Sequence, residues 1–300
     1  MKKDLISIKD LSEQEIYKIF DLATQLKKEQ KQGKSHNHLL AGKTIAMLFE
    51  KPSLRTRMTF EVGMYQLGGH AVYERLIGEK IGDRESVQDV AKNLERWVDG
   101  IVVRTFSHQN VTDLAKFANI PVINALTDLL HPCQILTDMF TILEKKGGLD
   151  GIKVAYIGDG NNICNSWIYG AEKTGIILKI ACPEGYEPSK EMITKELFIT
   201  HNPEDAVKDS DIVYTDVWVS MGQESEKADR KTMFQAFQIN KKLLSNASSD
   251  VLIMHCLPAH RGEEITDEVI DSPNAIVFDE AENRLHVQKA ILNLLLRNEL

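Results

Sequence analysis

No two cysteines in this chain are spaced C-x-x-C, and there are only four of them, Cys133, Cys164, Cys182 and Cys256. Such scattered thiols make neither a disulfide framework nor a zinc site, so no metal is expected. No apolar run approaches the ~20 residues of a membrane span. The first residues, Met1-Lys2-Lys3-Asp4-Leu5, lack the apolar core of a secretory leader, which leads us to expect a cytoplasmic chain. Positive charge is also in the minority, with 36 Lys and Arg against 44 Asp and Glu and a net charge of −8. That balance argues against nucleic acid and against anionic membranes as partners. The phosphate-loop pattern G-x-x-x-x-G-K-[ST] is absent, as is any internal repeat.

What is present is an ordinary soluble composition, 43% hydrophobic and 27% charged over 300 residues. That length exceeds one compact core, so two domains are expected. Short apolar runs alternate with amphipathic stretches along the whole chain, which predicts α/β architecture with parallel sheets. Strands are expected near 44–49, 70–73, 100–105, 121–125, 153–157, 177–181, 211–215, 251–254 and 275–278. A helix is expected from Ser86 to Trp97, with Val87, Val90, Ala91, Leu94 and Trp97 on its apolar face. Two glycines, Gly147 and Gly148, follow a helix and mark a boundary between a domain of residues 1–146 and one of residues 147–282.

The stretch with most chemistry is Phe49-Glu50-Lys51-Pro52-Ser53-Leu54-Arg55-Thr56-Arg57-Met58-Thr59-Phe60. It follows a buried-strand pattern and opens an amphipathic helix, with Ser53 suited to the N-cap. Arg55 and Arg57 then fall in the first helical turn, where the dipole disfavours cations. An anion at that terminus resolves the conflict, because free N–H groups, hydroxyls and guanidiniums together cradle phosphate. The alternative is a solvated, basic first turn. Arg104 ends a strand, and His131 and Gln134 begin a helix, each where an open α/β sheet directs residues into its ligand crevice. Gly158-Asp159-Gly160-Asn161-Asn162 follows a strand as a dinucleotide loop does, but Asn162 and Ile163 stand where later glycines belong, so no nicotinamide cofactor is expected. Cysteine at a strand end, as Cys256 is, is on composition alone a small buried hydrophobe.

Ser53 to Arg57, with His131-Pro132-Cys133-Gln134, resembles the S-x-R-T-R and H-P-x-Q motifs of the aspartate/ornithine carbamoyltransferase family. Asn161-Asn162, Asp216 with Ser220-Met221-Gly222, and the run from His255 through Gly262 are similar to the ornithine branch. The resemblance covers essentially the whole chain. It implies two doubly wound parallel-sheet domains joined by two crossing helices, about Ile135–Glu144 and Asn283–Arg297, with 283–300 returning to the first domain. It implies transfer of the carbamoyl group of carbamoyl phosphate to L-ornithine, without metal or cofactor, in a homotrimer with shared sites. Ser53, Leu54 (through its backbone), Arg55, Thr56, Arg57, Lys80 and Arg104 are implied around the phosphate. Arg104, His131 and the Thr56 hydroxyl are implied at the carbonyl oxygen. Gln134, Arg284 and the Cys256 and Leu257 carbonyls are implied at the carbamoyl NH₂. Asn162, Asp216, Ser220 and Met221 are implied for ornithine, with Cys256 orienting its amine. Lys80 stands where ornithine-specific members commonly carry Gln. Another acceptor, putrescine or aspartate, and a catalytically silent phosphate-binding paralogue stand as alternatives.

Overall fold

The computed structural model describes residues 3–194, 197–220, 222 and 224–300. Its contacts divide the chain into unit 1, Met1–Phe140 with Glu282–Leu300, and unit 2, Thr141–Ala281. Unit 1 runs α1 (Glu13–Lys31), β1 (Thr44–Phe49), α2 (Leu54–Leu67), β2 (His70–Arg75), α3 (Val87–Leu94), β3 (Gly100–Arg104), α4 (His108–Phe117), β4 (Val122–Leu126) and α5 (Pro132–Lys146). Unit 2 runs β5 (Lys153–Ile157), α6 (Asn162–Thr174), β6 (Ile177–Ala181), β7 (Phe198–Thr200), α7 (Pro203–Val207), β8 (Ile212–Thr215), α8 (Lys227–Phe234), α9 (Lys241–Leu244), β9 (Leu252–His255) and α10 (Asp267–Ile270). It ends in α11 (Val277–Leu296), whose last part belongs to unit 1. The two unit boundaries therefore fall inside α5 and α11, rather than at the glycine pair after α5.

Both sheets are parallel, in the orders β2-β1-β3-β4 and β7-β6-β5-β8-β9. Strand β3 and strand β4 are buried at every residue, as strands covered on both faces must be. In each sheet the chain winds outward from a central strand and then returns to that strand's other side. The switch point lies between β1 and β3 in unit 1, and between β5 and β8 in unit 2. Ligands in open α/β sheets bind outside the carboxyl ends of the strands at such points. Phe49 stands beside Arg104 there, and Ile157 beside Thr215.

Local chemistry sets the elements. Ser12 and Glu15 form a reciprocal capping box at α1. The Ser53 hydroxyl accepts the Thr56 N–H at α2, so the basic first turn read from sequence is in place. Inside unit 1 a fully buried lysine, Lys289 of α11, donates to Gln30 of α1, to Gln66 of α2 and to His36. Burial pushes its ammonium down to about 8.

Three expectations fail. Helix α3 stops at Leu94, and Trp97 is 71% exposed instead of completing its apolar face. The run 275–278 is not a strand: Ala275 bridges Ile253, and α11 starts at Val277, with Asp279 and Glu280 favouring a helix N-terminus. Helix α5 begins at Pro132, not Ile135, because proline's fixed φ and missing N–H suit a first turn. No described helix is long and apolar enough to cross a membrane.

Gly68 ends α2 at φ +87°, and a Cβ there would lie 1.7 Å from the Asn37 carbonyl oxygen. Gly68→Ala is expected to destabilise unit 1 by more than about 2 kcal/mol. Denaturant unfolding checks this, and an unchanged midpoint would contradict it.

Candidate active site

At the unit 1 switch point, α2 delivers Ser53, Leu54, Arg55, Thr56 and Arg57 from the end of β1. Thr56 is buried, Arg55 half-buried, and the Leu54 side chain 73% exposed, so only the Leu54 backbone faces the turn's chemistry. Arg57 leans away: its Nε donates to Glu61 at 2.9 Å, and its guanidinium lies 3.9 Å from the Tyr73 ring. Arg104, at the end of β3, is buried. His131 and Gln134, at the start of α5, are buried as well.

Arg284 ties these segments together. Its Nη2 donates to the Thr56 hydroxyl at 3.2 Å, and its Nη1 donates to Gln134 Oε1. Gln134 in turn donates to Asp138 at 2.7 Å. Both sequence motifs of the first half are thus joined through a residue far along the chain. His131 sits among cations. Burial, then Arg284, Arg104 and Lys51, hold its imidazole well below the usual 6.5. The ring is therefore neutral at neutral pH, able to donate from one nitrogen and accept at the other.

Lys80 lies in the exposed loop after β2, with its ammonium 5.9 Å from the Phe106 ring. Glu50 anchors that loop by accepting the Ile81 N–H at 2.8 Å, while its other oxygen accepts from Thr105 and Phe106.

At the unit 2 switch point, Asp216 follows β8 and is buried. Its Oδ1 accepts from the Cys256 thiol at 3.0 Å and from the Val217 N–H at 2.8 Å. Its Oδ2 accepts from Asn161 Nδ2 at 2.8 Å. Asn161 also caps α6 by accepting the Ile163 and Cys164 N–H groups. Asn162, the first residue of α6, and Ser220 are half-buried nearby in sequence. Met221 lies outside the described residues. Gly160 leaves no room for a side chain, since a Cβ would meet Pro188 N at 2.3 Å. Arg230 steadies the loop after β8, donating to Asp159 at 2.9 Å and to the Trp218 carbonyl at 3.1 Å. Burial nevertheless pushes the Asp159 carboxyl up to about 6, with Arg230 opposing it.

Asp216, His255 and Cys256 each bring one possible ligand atom within 4.8 Å of the others. Both His255 ring nitrogens are already engaged by the protein, one with Leu257 N–H and one with Glu264, and the Cys256 thiol with Asp216. The trio is a hydrogen-bond network as it stands.

Sequence reasoning gave no role to Asn161, Lys51, Glu50, Arg230 or Glu264. Asn161 stood in the quoted Asn-Asn pair, and Lys51 in the quoted cradle, where a buried lysine beside His131 was legible only as a charge. Glu50, Arg230 and Glu264 act through partners 31 to 71 residues away or through a histidine, and leave no local pattern.

Each unit thus carries a parallel sheet with its own switch point, lined by basic side chains in unit 1 and by the buried Asp216 in unit 2. Residues 3–144 match the family model described as the carbamoyl-P binding domain of aspartate/ornithine carbamoyltransferase, and residues 150–295 match its Asp/Orn binding domain. The chain belongs to the aspartate/ornithine carbamoyltransferase family. It is 51% identical to the ornithine carbamoyltransferase of Pyrococcus horikoshii, over 98% of this chain and 96% of that one. It is 49% identical to a Pyrococcus furiosus protein named ornithine carbamoyltransferase, anabolic, over the same shares. The solved structure of ornithine carbamoyltransferase from Pyrococcus furiosus superimposes with a TM-score of 0.94 at 49% identity, covering 98% of this chain and 96% of that one.

His131 gives a direct check of the site's electrostatics. Its folded pKa is depressed, so the unfolded chain takes up a proton near 6.5 that the folded chain refuses, and this residue opposes folding more as pH falls. Histidine NMR of the free protein is expected to show the His131 ring still neutral at pH 6.5, and a ring half-protonated there would contradict the cationic setting.

Proposed function

We propose that the protein is an ornithine carbamoyltransferase, moving the carbamoyl group of carbamoyl phosphate to the side-chain amine of L-ornithine to give L-citrulline and phosphate. The observation that carries this reading is the Arg284 guanidinium bonded to both Thr56 and Gln134, which joins the two carbamoyl-phosphate motifs in one buried cluster. The near-half identity to enzymes so named supports the choice of ornithine over aspartate or putrescine. The name of the Pyrococcus furiosus relative favours the biosynthetic direction.

In this reading Ser53, Arg55 and Thr56 at the α2 N-terminus hold the phosphate, where backbone N–H groups and charge act together. Arg57 and Lys80 swing in to add charge, and Leu54 lends its N–H. Arg104, neutral His131 and the Thr56 hydroxyl face the carbonyl oxygen. As the amine attacks, that oxygen gains charge, and a fixed donor there lowers the barrier by about 3 kcal/mol. A neutral imidazole suits this task, because it donates a hydrogen bond without giving up its proton. The carbamoyl NH₂ needs acceptors, which Gln134 Oε1 and the Cys256 and Leu257 carbonyls supply. Arginine has donors only, so Arg284 serves this group by orienting Gln134 rather than by binding it.

Asp216 takes the α-ammonium of ornithine, and Asn162, Ser220 and Met221 the rest of its amino-acid end. The δ-amine resembles lysine and is protonated in water, with a pKa of about 10.4, so it must lose a proton before it attacks. Cys256, held by Asp216 at 3.0 Å, orients that amine. Phosphate leaves as the C–O bond breaks and the C–N bond forms, and it takes the proton that the attacking nitrogen gives up. The working form in this proposal is a homotrimer with shared sites. It is placed in the cytoplasm, where the Cys256 thiol stays reduced.

Citrulline formation is expected with ornithine, and not with putrescine or aspartate, in a side-by-side assay. Product from another acceptor would redirect the reading, and none from any would favour a silent paralogue. Arg104→Gln is expected to lower kcat by about 10² to 10³. Light scattering on the eluting protein checks the trimer.

A further inference from the structure

Strand β9 ends at His255, one residue before Cys256, and the His255 side chain is 0% exposed. Its ring is read unambiguously from its partners. The Leu257 N–H, which can only donate, lies 2.8 Å from Nδ1. Nδ1 therefore accepts, and the ring proton sits on Nε2. Nε2 is 3.0 Å from Glu264 Oε1, to which it donates. The same oxygen accepts the His260 backbone N–H, and Oε2 lies 3.8 Å from His260 Nδ1. The His255 backbone N–H is held in turn by Glu280 Oε2 at 3.1 Å.

Two features make this more than a core contact. Leu257 has φ +53°, a left-handed conformation that a branched side chain adopts only where its surroundings impose it. The bond from its N–H to the His255 ring is what the structure offers for that imposition. Glu264 is also 0% exposed, and burying a carboxylate is costly where an apolar residue would fill the space. A carboxylate in that place selects one histidine tautomer. With the proton moved to Nδ1, the ring would face the Leu257 N–H donor to donor.

We propose that Glu264 is a positioning residue for carbamoyl transfer: through the Nε2–H tautomer of His255 it sets the backbone turn of Cys256 and Leu257, whose carbonyls the transferase reading assigns to the carbamoyl NH₂. The kinetic consequence rests on the transferase reading above, whereas the tautomer assignment does not. Glu264 touches no substrate. Its removal is expected to loosen the turn while leaving the phosphate cradle of unit 1 intact.

The test combines nitrogen-15 NMR of the histidine rings with steady-state kinetics on the full chain, for the wild type, Glu264→Ala and Glu264→Gln. In the wild type, His255 is expected to give the signature of a single Nε2–H tautomer. Glu264→Gln keeps an oxygen for both bonds, so it is expected to retain the tautomer and nearly all of kcat. Glu264→Ala is expected to lose the signature and to lower kcat by about 10- to 100-fold, the loss a small misplacement of reacting groups brings. Its affinity for inorganic phosphate is expected to stay unchanged. An Nδ1–H tautomer in the wild type, a folded Glu264→Ala with wild-type kcat, or a Glu264→Gln as impaired as Glu264→Ala would overturn the proposal. Should Glu264→Ala fail to fold, Glu264→Asp, one carbon shorter, is read in the same way. A wild type that forms no citrulline would sink the transferase reading, and the tautomer signals of the three proteins would still decide whether Glu264 governs His255.

Discussion

A buried guanidinium organises the first unit. Arg284 arrives on the terminal helix, 228 residues after Thr56 and 150 after Gln134, and bonds to both. Removing such a charge from water is expensive, and the expense is offset only by acceptors held in the right place. Here those acceptors include a threonine hydroxyl and an amide oxygen. Burial, and then Arg284, Arg104 and Lys51, hold the His131 imidazole well below its usual range. An anion entering the crevice meets a surface whose cations are already desolvated and oriented. Little reorganisation is then needed as charge moves during transfer.

The second unit reverses the sign. Asp216 is a buried acid at its switch point, and its two oxygens accept from Asn161, Val217 and the Cys256 thiol. The same arrangement of a switch point beside the carboxyl ends of parallel strands thus carries basic side chains in one unit and a buried acid in the other. What differs is the chemistry carried on the loops. Three loops converge in unit 2, after β5, β8 and β9, and each is pinned: Asn161 by Asp216, Trp218 by Arg230, Leu257 by His255. An acceptor amine with a free lone pair needs this degree of placement more than it needs charge.

Much of this was legible along the chain. Ser53 announced the start of α2 and the basic turn behind it, because a capping hydroxyl and its N–H are local chemistry. The alternation of apolar runs disclosed parallel sheets, and the place of Arg104 at a strand end followed from it. Short apolar stretches were less informative. The run at 275–278 suits a strand or a helix start equally, and the acids at 279 and 280 decided for the helix. Trp97 fell out of its expected face because α3 ended a turn sooner, leaving it past the periodic stretch. Arg57 is a phosphate-side residue by motif; that its guanidinium also lies against Glu61 and the Tyr73 ring is something the motif does not encode. Glu264 and Arg230 were invisible for a similar reason: each works on another residue, and only the folded chain brings the pairs together.

The proposed function requires the basic turn of α2 to be a prebuilt receptor for the phosphate of carbamoyl phosphate. Calorimetric titration of that compound onto the protein, with no amine present, tests it most directly. Loss of one charge-assisted contact of about 2 to 3 kcal/mol should weaken binding roughly 30- to 150-fold in Arg55→Gln relative to the wild type. Equal affinity in the two proteins, or no binding to the wild type, would contradict the account.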